Sequence, residues 1–181
     1  MVTKKDSYPL PRIDDTLKAL LGMQLFSTLD MWSGHRQVPM EEAVKEMTPF
    51  TAGRGLWQFR VMPFGLCNAI ASFERLMEQV LLGLPLSVAL VYIDDILVPG
   101  KIFDDHLTNL CTVFQCIREA RLKLAPPKCT LLEPKVDYLG HVISGQGIST
   151  DPKRIQAIST WPALISITQL RGFLELSSYY R

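Results

Sequence analysis

A chain of 181 residues, 48% hydrophobic and 20% charged, suits one packed domain or one and a half, and it excludes intrinsic disorder and collagen-like composition. Lys and Arg number 19 against 18 Asp and Glu, a net charge of +1, so any nucleic-acid binding must use local basic patches and not bulk charge. The longest apolar stretch, residues 80–93, is broken by Gly83, Pro85 and Ser87 and is too short for a membrane span. Residues 1–6 lead into no apolar h-region, so no signal peptide is expected. The four cysteines lack C-x-x-C spacing, which points to a reduced intracellular chain without zinc or disulfides.

In chain order, Ile13, Leu17, Leu20 and Leu21 share one helical face between Pro11 and Gly22. A strand is expected over residues 25–31, and a second β region over residues 36–40 and 47–51. Residues 52–55 form a turn. Trp57, Phe59 and Val61 then alternate with Gln58, Arg60 and Met62, the pattern of a half-buried strand. Pro63 and Gly65 break it. Phe73, Leu76, Met77, Val80 and Leu81 recur at helical spacing, ended by Gly83 and Pro85. Residues 88–98 read as a hairpin with Asp94 and Asp95 at its tip and Pro99-Gly100 as its stop. Leu107, Leu110, Phe114 and Ile117 mark another helix, with Asp104 or Asp105 as its cap. Short strands fit residues 129–132, 136–139 and 141–144. Asp151-Pro152 is an N-cap and first-turn pair for a helix through Ile158. Ser166 with Gln169 forms a capping box for a last helix over residues 168–180. Its Leu170, Phe173, Leu174 and Leu176 need a partner surface. The sum is an α+β domain with an antiparallel sheet.

The anomaly is the run from Leu90 to Val98, in which two adjacent carboxylates, Asp94 and Asp95, sit between strongly apolar strands. Hairpin tips prefer Asn-Gly or Asp-Gly, and adjacent aspartates repel. A hard divalent ion would relieve that repulsion, Mg²⁺ being the usual choice where phosphates join. A solvated turn is the competing reading. Asp30, inside the apolar strand around Leu29, is a second carboxylate in an expensive place; its competing reading is a strand-end Asp bonded to backbone N–H groups. Three such carboxylates brought together suit two-metal phosphoryl transfer, and at least one of them should then have a raised pKa.

Tyr92-Ile93-Asp94-Asp95 resembles the Y-x-D-D box of reverse transcriptases. Five further motifs agree in order and spacing: Tyr8-Pro9-Leu10-Pro11-Arg12-Ile13-Asp14, Phe26-Ser27-Thr28-Leu29-Asp30, the run from Val61 to Ala69, Tyr138-Leu139-Gly140-His141 and Leu170-Arg171-Gly172-Phe173-Leu174. Together they resemble the gypsy group of long-terminal-repeat retrotransposons, over nearly the whole chain.

The resemblance implies an α+β right-hand polymerase palm with an antiparallel sheet and packed helices, partial fingers and the start of the connection to the thumb. Residues 1–24 and 36–65 would be fingers-like or palm edge, residues 25–35 and 66–145 palm with primer grip, and residues 146–181 the start of the thumb. The implied activity is RNA-directed DNA polymerisation by two Mg²⁺ ions, with Mn²⁺ as the alternative. Asp30, Asp94 and Asp95 match the metal-binding catalytic carboxylates, and the Met31 carbonyl adds a ligand. Ser33, Gly34 and His35 underlie the incoming sugar, while Phe64 and Gly65 touch its base and the template. Tyr138, Leu139, Gly140 and His141 match the primer grip. The implied partners are an RNA or DNA template with primer, deoxynucleoside triphosphates and the remainder of a Pol polyprotein, but no membrane. The implied place is the cytoplasm, including retrotransposon particles.

The chain departs from the family pattern at His35-Arg36, where an aromatic followed by His or Trp is usual. Ile70 stands for Pro, Met47-Thr48-Pro49 for Lys-Thr-Ala, and Glu175 for Gly. A basic fingers segment would precede Lys4 in the family, so this chain alone is expected to be a poor polymerase. Two rivals remain: a truncated, inactive retroelement remnant with at most weak nucleic-acid binding, and an unrelated two-metal nuclease.

Overall fold

The computed structural model describes residues 3–9 and 11–178. Leu10 of the first motif, and Tyr179 and Tyr180 of the last expected helix, lie outside the described residues.

The chain is built on a four-stranded antiparallel sheet. Strand β1 (Leu25–Asp30) is an interior strand, joined by β4 (Leu90–Tyr92) and β5 (Asp95–Gly100); a separate pair, β2 (Pro49–Thr51) and β3 (Leu56–Gln58), lies between β1 and β4 in the chain. With β6 (Thr130–Glu133) the order is β4-β5-β1-β6. Alternate residues serve opposite faces, as strand pleating requires. Leu29, Ile96 and Val98 face helices α3 (Ala69–Val80) and α4 (Phe103–Glu119), meeting Phe73, Met77, Leu110, Val113 and Ile117. Phe26, Leu90 and Leu97 face the other way, toward Leu17 of helix α1 (Ile13–Lys18) and Leu20 beyond it. Val136, Tyr138 and Ile143 complete that layer from a three-stranded sheet of β7 (Lys135–Tyr138), β8 (His141–Ser144) and β9 (Gly147–Thr150). Phe26 and Phe73 are each fully buried, one per layer, and each contributes roughly 1.5–3 kcal/mol by burial.

Helix α4 approaches β5 closely at one point. A Cβ at Gly100 would lie 2.3 Å from His106 Cβ, so only glycine admits the helix there. That is why Pro99-Gly100, expected to stop the strand, stays within β5 opposite Phe26 and Leu25. Asp104 and Asp105 do not cap α4; its N-cap is Ile102, and both aspartates lie in the first turn, where the helix dipole favours them. Before α3, the extended N-terminal segment is tied down by Asn68, whose side chain donates to the Lys4 carbonyl and accepts from the Asp6 N–H. Arg75 adds an ion pair to Asp6 at 2.7 Å.

Other expectations change. Residues 36–40 do not form a strand. Ser33 takes a left-handed conformation at φ 53°, turning the chain into a 3-10 helix, Gly34–Gln37, and the residues after it form an isolated bridge, Pro39 to Val61, and no strand. A short helix α2 (Glu42–Lys45) follows. The alternating Trp57 pattern produces a two-stranded sheet, β2 (Pro49–Thr51) with β3 (Leu56–Gln58), whose strand residues are all exposed because no layer covers it. Asp151 caps helix α5 (Pro152–Ser159) as expected, accepting from the Lys153 N–H at 2.9 Å. Ser166 caps α6 (Ile167–Ser178) through the Gln169 N–H, but the Gln169 side chain reaches the Ile165 N–H, not that of Ser166. Phe173 finds Trp161 edge-on at 5.8 Å, while Leu170 and Leu174 stay exposed. Among the described residues no helix is long and apolar enough to cross a membrane.

Candidate active site

The hairpin turn after β4 lies one residue earlier than the expected Asp94-Asp95 tip. Tyr92 pairs with Asp95, so Ile93 and Asp94 alone make the loop and Asp95 already belongs to β5. Asp95 in turn pairs with Asp30, the last residue of β1. Directly opposed residues share a face, with Cβ atoms about 4.5–5.5 Å apart, so two carboxylates confront each other at the sheet's end. The Asp95 carboxyl, although exposed, packs closely enough against the sheet to lose water. That loss, and then the charges of Asp94 and Asp30, raise its pKa above the ordinary aspartate value; Lys128 opposes them. A raised pKa among these three is what the sequence led us to expect.

Lys128 supplies the nearest cation. Its Nζ donates to both oxygens of Asp30 at 3.3 Å. The 3-10 turn that carries it, Pro126–Lys128, is tied to the end of β1: the Ala125 N–H donates to the Asp30 carbonyl at 2.8 Å and the Trp32 N–H to the Lys123 carbonyl at 2.9 Å. This bridge does not use the Met31 carbonyl.

Beside the carboxylates lies a pocket of about 210 Å³. Met31, Ser33, Gly34, His35 and Phe64 line it, with Asp94 and Lys128 on its carboxylate side. The His35 ring packs against Phe64 at 5.7 Å and Phe73 at 5.4 Å, and its buried Nδ1 has no partner. The Arg36 guanidinium lies 5.2 Å from the Phe64 ring centre. Gly65 sits in the following turn at φ 88°. Five sequence-selected residues and Asp94 therefore meet at one cavity.

Tyr138, Leu139, Gly140 and His141 form the tip of the β7–β8 hairpin. Leu139 and Gly140 are the loop, both at positive φ (47° and 70°), as a type I′ turn requires. A Cβ on Gly140 would come within 2.7 Å of the Arg154 guanidinium, the movable end of a long side chain, so the positive φ is what favours glycine there. Tyr138 packs in the same layer as Tyr92, beneath the face that carries Asp30 and Asp95. Its hydroxyl is buried without a partner, and burial, then the charges of Asp95 and Glu74, push its pKa far above the phenol range.

The donor set is all hard carboxylate oxygen, crowded enough to disfavour joint ionisation and already drawing in an ammonium. That chemistry fits a divalent cation such as Mg²⁺. Among the described residues, however, no three His, Cys, Asp or Glu side chains are gathered closely enough to hold an ion as they stand. The three aspartates share one end of the sheet but do not close into the tight cluster expected of two-metal chemistry.

Two residues escaped the sequence reading. Lys128 belongs to none of the motifs, and nothing near it in the sequence marks it. Glu74 was passed over although it sits one residue after Phe73 and three before Met77, on the buried stripe of α3. A charge on that stripe was the available signal.

A family model described as reverse transcriptase (RNA-dependent DNA polymerase) matches residues 1–143. The chain belongs to the reverse transcriptase family. It is 39% identical over 180 residues to the retrovirus-related Pol polyprotein from transposon opus of Drosophila melanogaster, covering 99% of this chain and 18% of that protein. It is 34% identical over 179 residues to the corresponding polyprotein from transposon gypsy of the same species, with 99% and 17% covered. The chain thus spans less than a fifth of the length of these Pol relatives. Among solved structures, the foamy viral protease-reverse transcriptase in complex with double-stranded DNA superposes with a TM-score of 0.90 over 99% of this chain and 31% of that one, at 23% identity. A related foamy viral complex, with RNA/DNA hybrid, gives 0.84. These likenesses establish the α+β polymerase-palm fold.

Proposed function

We propose that this chain is the palm of a retrotransposon RNA-directed DNA polymerase that adds deoxynucleotides to a primer 3′ end on an RNA or DNA template. The observation that carries the reading is the opposed Asp30–Asp95 pair at the end of the sheet, next in the chain to Met31 and Asp94, which line the pocket. Asp30, Asp94, Asp95 and the Met31 carbonyl would hold two divalent ions, Mg²⁺ or Mn²⁺. Such ions supply charge neutralisation at the phosphates and a more acidic attacking hydroxyl. Ser33, Gly34 and His35 form the floor for the incoming sugar, and Phe64 with Gly65 meets its base and the template. The Tyr138–His141 turn steadies the primer end, so that proximity lowers the barrier. Exposed basic side chains position the nucleic acid through its phosphates without reading sequence. On this reading residues 1–24 and 36–65 are fingers-like or palm edge, residues 25–35 and 66–145 the palm, and residues 146–181 the approach to the thumb. The chain works inside the cell as part of a Pol polyprotein, in retrotransposon particles.

One observation favours a second reading, a folded palm without activity. Lys128 already meets the charge demand of Asp30 from within the protein. Primer extension on an RNA template with Mg²⁺ separates the two, run with this chain alone and within a longer polypeptide carrying a relative's flanking segments. Extension that Asp94→Asn abolishes supports the polymerase. No extension in either form supports the silent palm.

A further inference from the structure

We propose that Glu74 is a positioning residue for the active-site turn: its buried carboxyl clamps the Ile93 N–H and so fixes the two-residue loop that aims Asp94 and Asp95. The inference rests on those two aspartates doing the chemistry.

Glu74 is fully buried on α3, between Phe73 and Met77, which are also fully buried. A carboxyl in such surroundings is costly unless it makes a specific bond. Its Oε2 accepts from the Ile93 N–H at 2.5 Å, and its Oε1 has no partner. An apolar side chain would fill this position more cheaply, so the bond to the loop is the gain that offsets the cost.

The loop needs holding. Ile93 sits at φ 59°, a left-handed conformation that β-branched residues rarely adopt. Asp94 is not at positive φ, so the strained position is the first of the loop, where glycine is the usual residue. Glycine would relieve the strain but would also let the loop move. An isoleucine wedged in this conformation, with its N–H taken by a buried acceptor, leaves the loop one arrangement. Asp94 on the pocket wall and Asp95 opposite Asp30 follow directly from it.

Burial raises the Glu74 pKa, the Ile93 bond lowers it and Glu78 on the same helix raises it. Across the hairpin, Asp95 and the Tyr138 hydroxyl lie close enough for their charges to matter to one another. An oxygen acceptor faces Ile93 whether the acid is charged or neutral. Glutamine retains that acceptor, whereas leucine has the bulk without it.

The test compares the full chain with Glu74→Gln and Glu74→Leu. Hydrogen exchange of the residue-93 amide by NMR reads the clamp without requiring activity. Glu74→Gln should exchange within about threefold of the parent, and Glu74→Leu roughly tenfold faster or more. In primer extension, Glu74→Leu should lower kcat by roughly tenfold while KM for the nucleotide stays within about twofold, and Glu74→Gln should restore kcat. Should Glu74→Leu not fold, the same change in an Ile93→Gly background supplies the comparison, because glycine takes positive φ without steric cost. Its residue-93 amide should exchange faster than in Ile93→Gly alone. Equal losses in Glu74→Gln and Glu74→Leu overturn the proposal, as does unchanged exchange in folded Glu74→Leu. A parent that shows no extension either alone or within the longer polypeptide counts against the polymerase reading, and the exchange result still decides the clamp.

Discussion

Replacing Asp95 by Asn should stabilise the metal-free protein while removing a residue that the proposed chemistry requires. Asp95 opposes Asp30 directly across the β1–β5 ladder. Like charges so placed cost about 0.2–1 kcal/mol. Coulomb's law gives the same scale: unit charges about 5 Å apart in water repel by about 0.8 kcal/mol. Lys128 offsets part of this through Asp30, but its side chain is 68% exposed, which holds such a pair to about 0–1 kcal/mol. The net gain for Asp95→Asn is then at most about 1 kcal/mol, up to roughly 2–4 °C in Tm for a chain of this size. The sign with pH follows from the raised Asp95 pKa. The unfolded chain ionises Asp95 near the ordinary value of 3.8, before the folded chain does. The parent therefore loses stability as pH rises from that value through the folded pKa, and Asn has nothing to lose. Urea unfolding followed by circular dichroism, with a chelator present, should show the two proteins alike in acid and Asp95→Asn ahead at neutral pH. Saturating Mg²⁺ should reverse the order, because a cation at 100 times its Kd adds about 2.7 kcal/mol to the form that binds it. A less stable Asp95→Asn at every pH, or a gap independent of pH, would refute the reasoning.

Three further outcomes are expected. His106 is fully buried, with Nε2 at 2.8 Å from Ser27 Oγ, and burial lowers its pKa, so its contribution is complete above about pH 6.5 and is lost as pH falls toward the folded value; the Ser27→Ala/His106→Leu double variant should flatten that part of the stability profile in urea titrations at pH 7.5 and 5.5. Gly100→Ala should cost about 1–3 kcal/mol, read as a lowered urea midpoint, because its Cβ meets the backbone and Cβ of His106. His35→Tyr should sharpen selection of deoxyribonucleotides over ribonucleotides in primer extension, since imidazole is smaller than phenol and its unpaired Nδ1 is able to bond a 2′-hydroxyl; equal selectivity in both proteins refutes that role.

What could be read in the sequence was whatever depends on periodicity or on a short motif. Helix α3 announces itself through Phe73, Met77 and Val80, and the β4–β5 hairpin through apolar strands around two aspartates. The Asp151-Pro152 cap is local and came out as expected. The misreadings share a cause: the deciding contact lies far along the chain or in a backbone angle. Alternation at Trp57 signals a strand but not whether anything covers it, and here nothing does. Pro99-Gly100 looked like a stop because His106, which makes the glycine necessary, belongs to the next element. Residues 36–40 looked extended because the left-handed angle falls on Ser33, a residue type that does not announce it, and not on the neighbouring Gly34.

The same division runs through the site. Asp30, Asp94 and Asp95 stand out because each violates the apolar pattern around it, and an expensive residue in a strand invites a functional reason. Glu74 violates its pattern just as plainly, yet helices carry charges so often that the violation drew no notice. Lys128 violates nothing. It lies in a loop 98 residues from Asp30, and only the ladder of contacts at residues 123–125 brings it there. A sequence therefore exposes the groups whose presence is costly and conceals those whose position alone makes them matter. Two kinds of residue serve one sheet end here: carboxylates that repel one another, and the glutamate and lysine that hold them in place. Substitutions in the first kind should raise stability as they remove function, and substitution of the glutamate should lower both together.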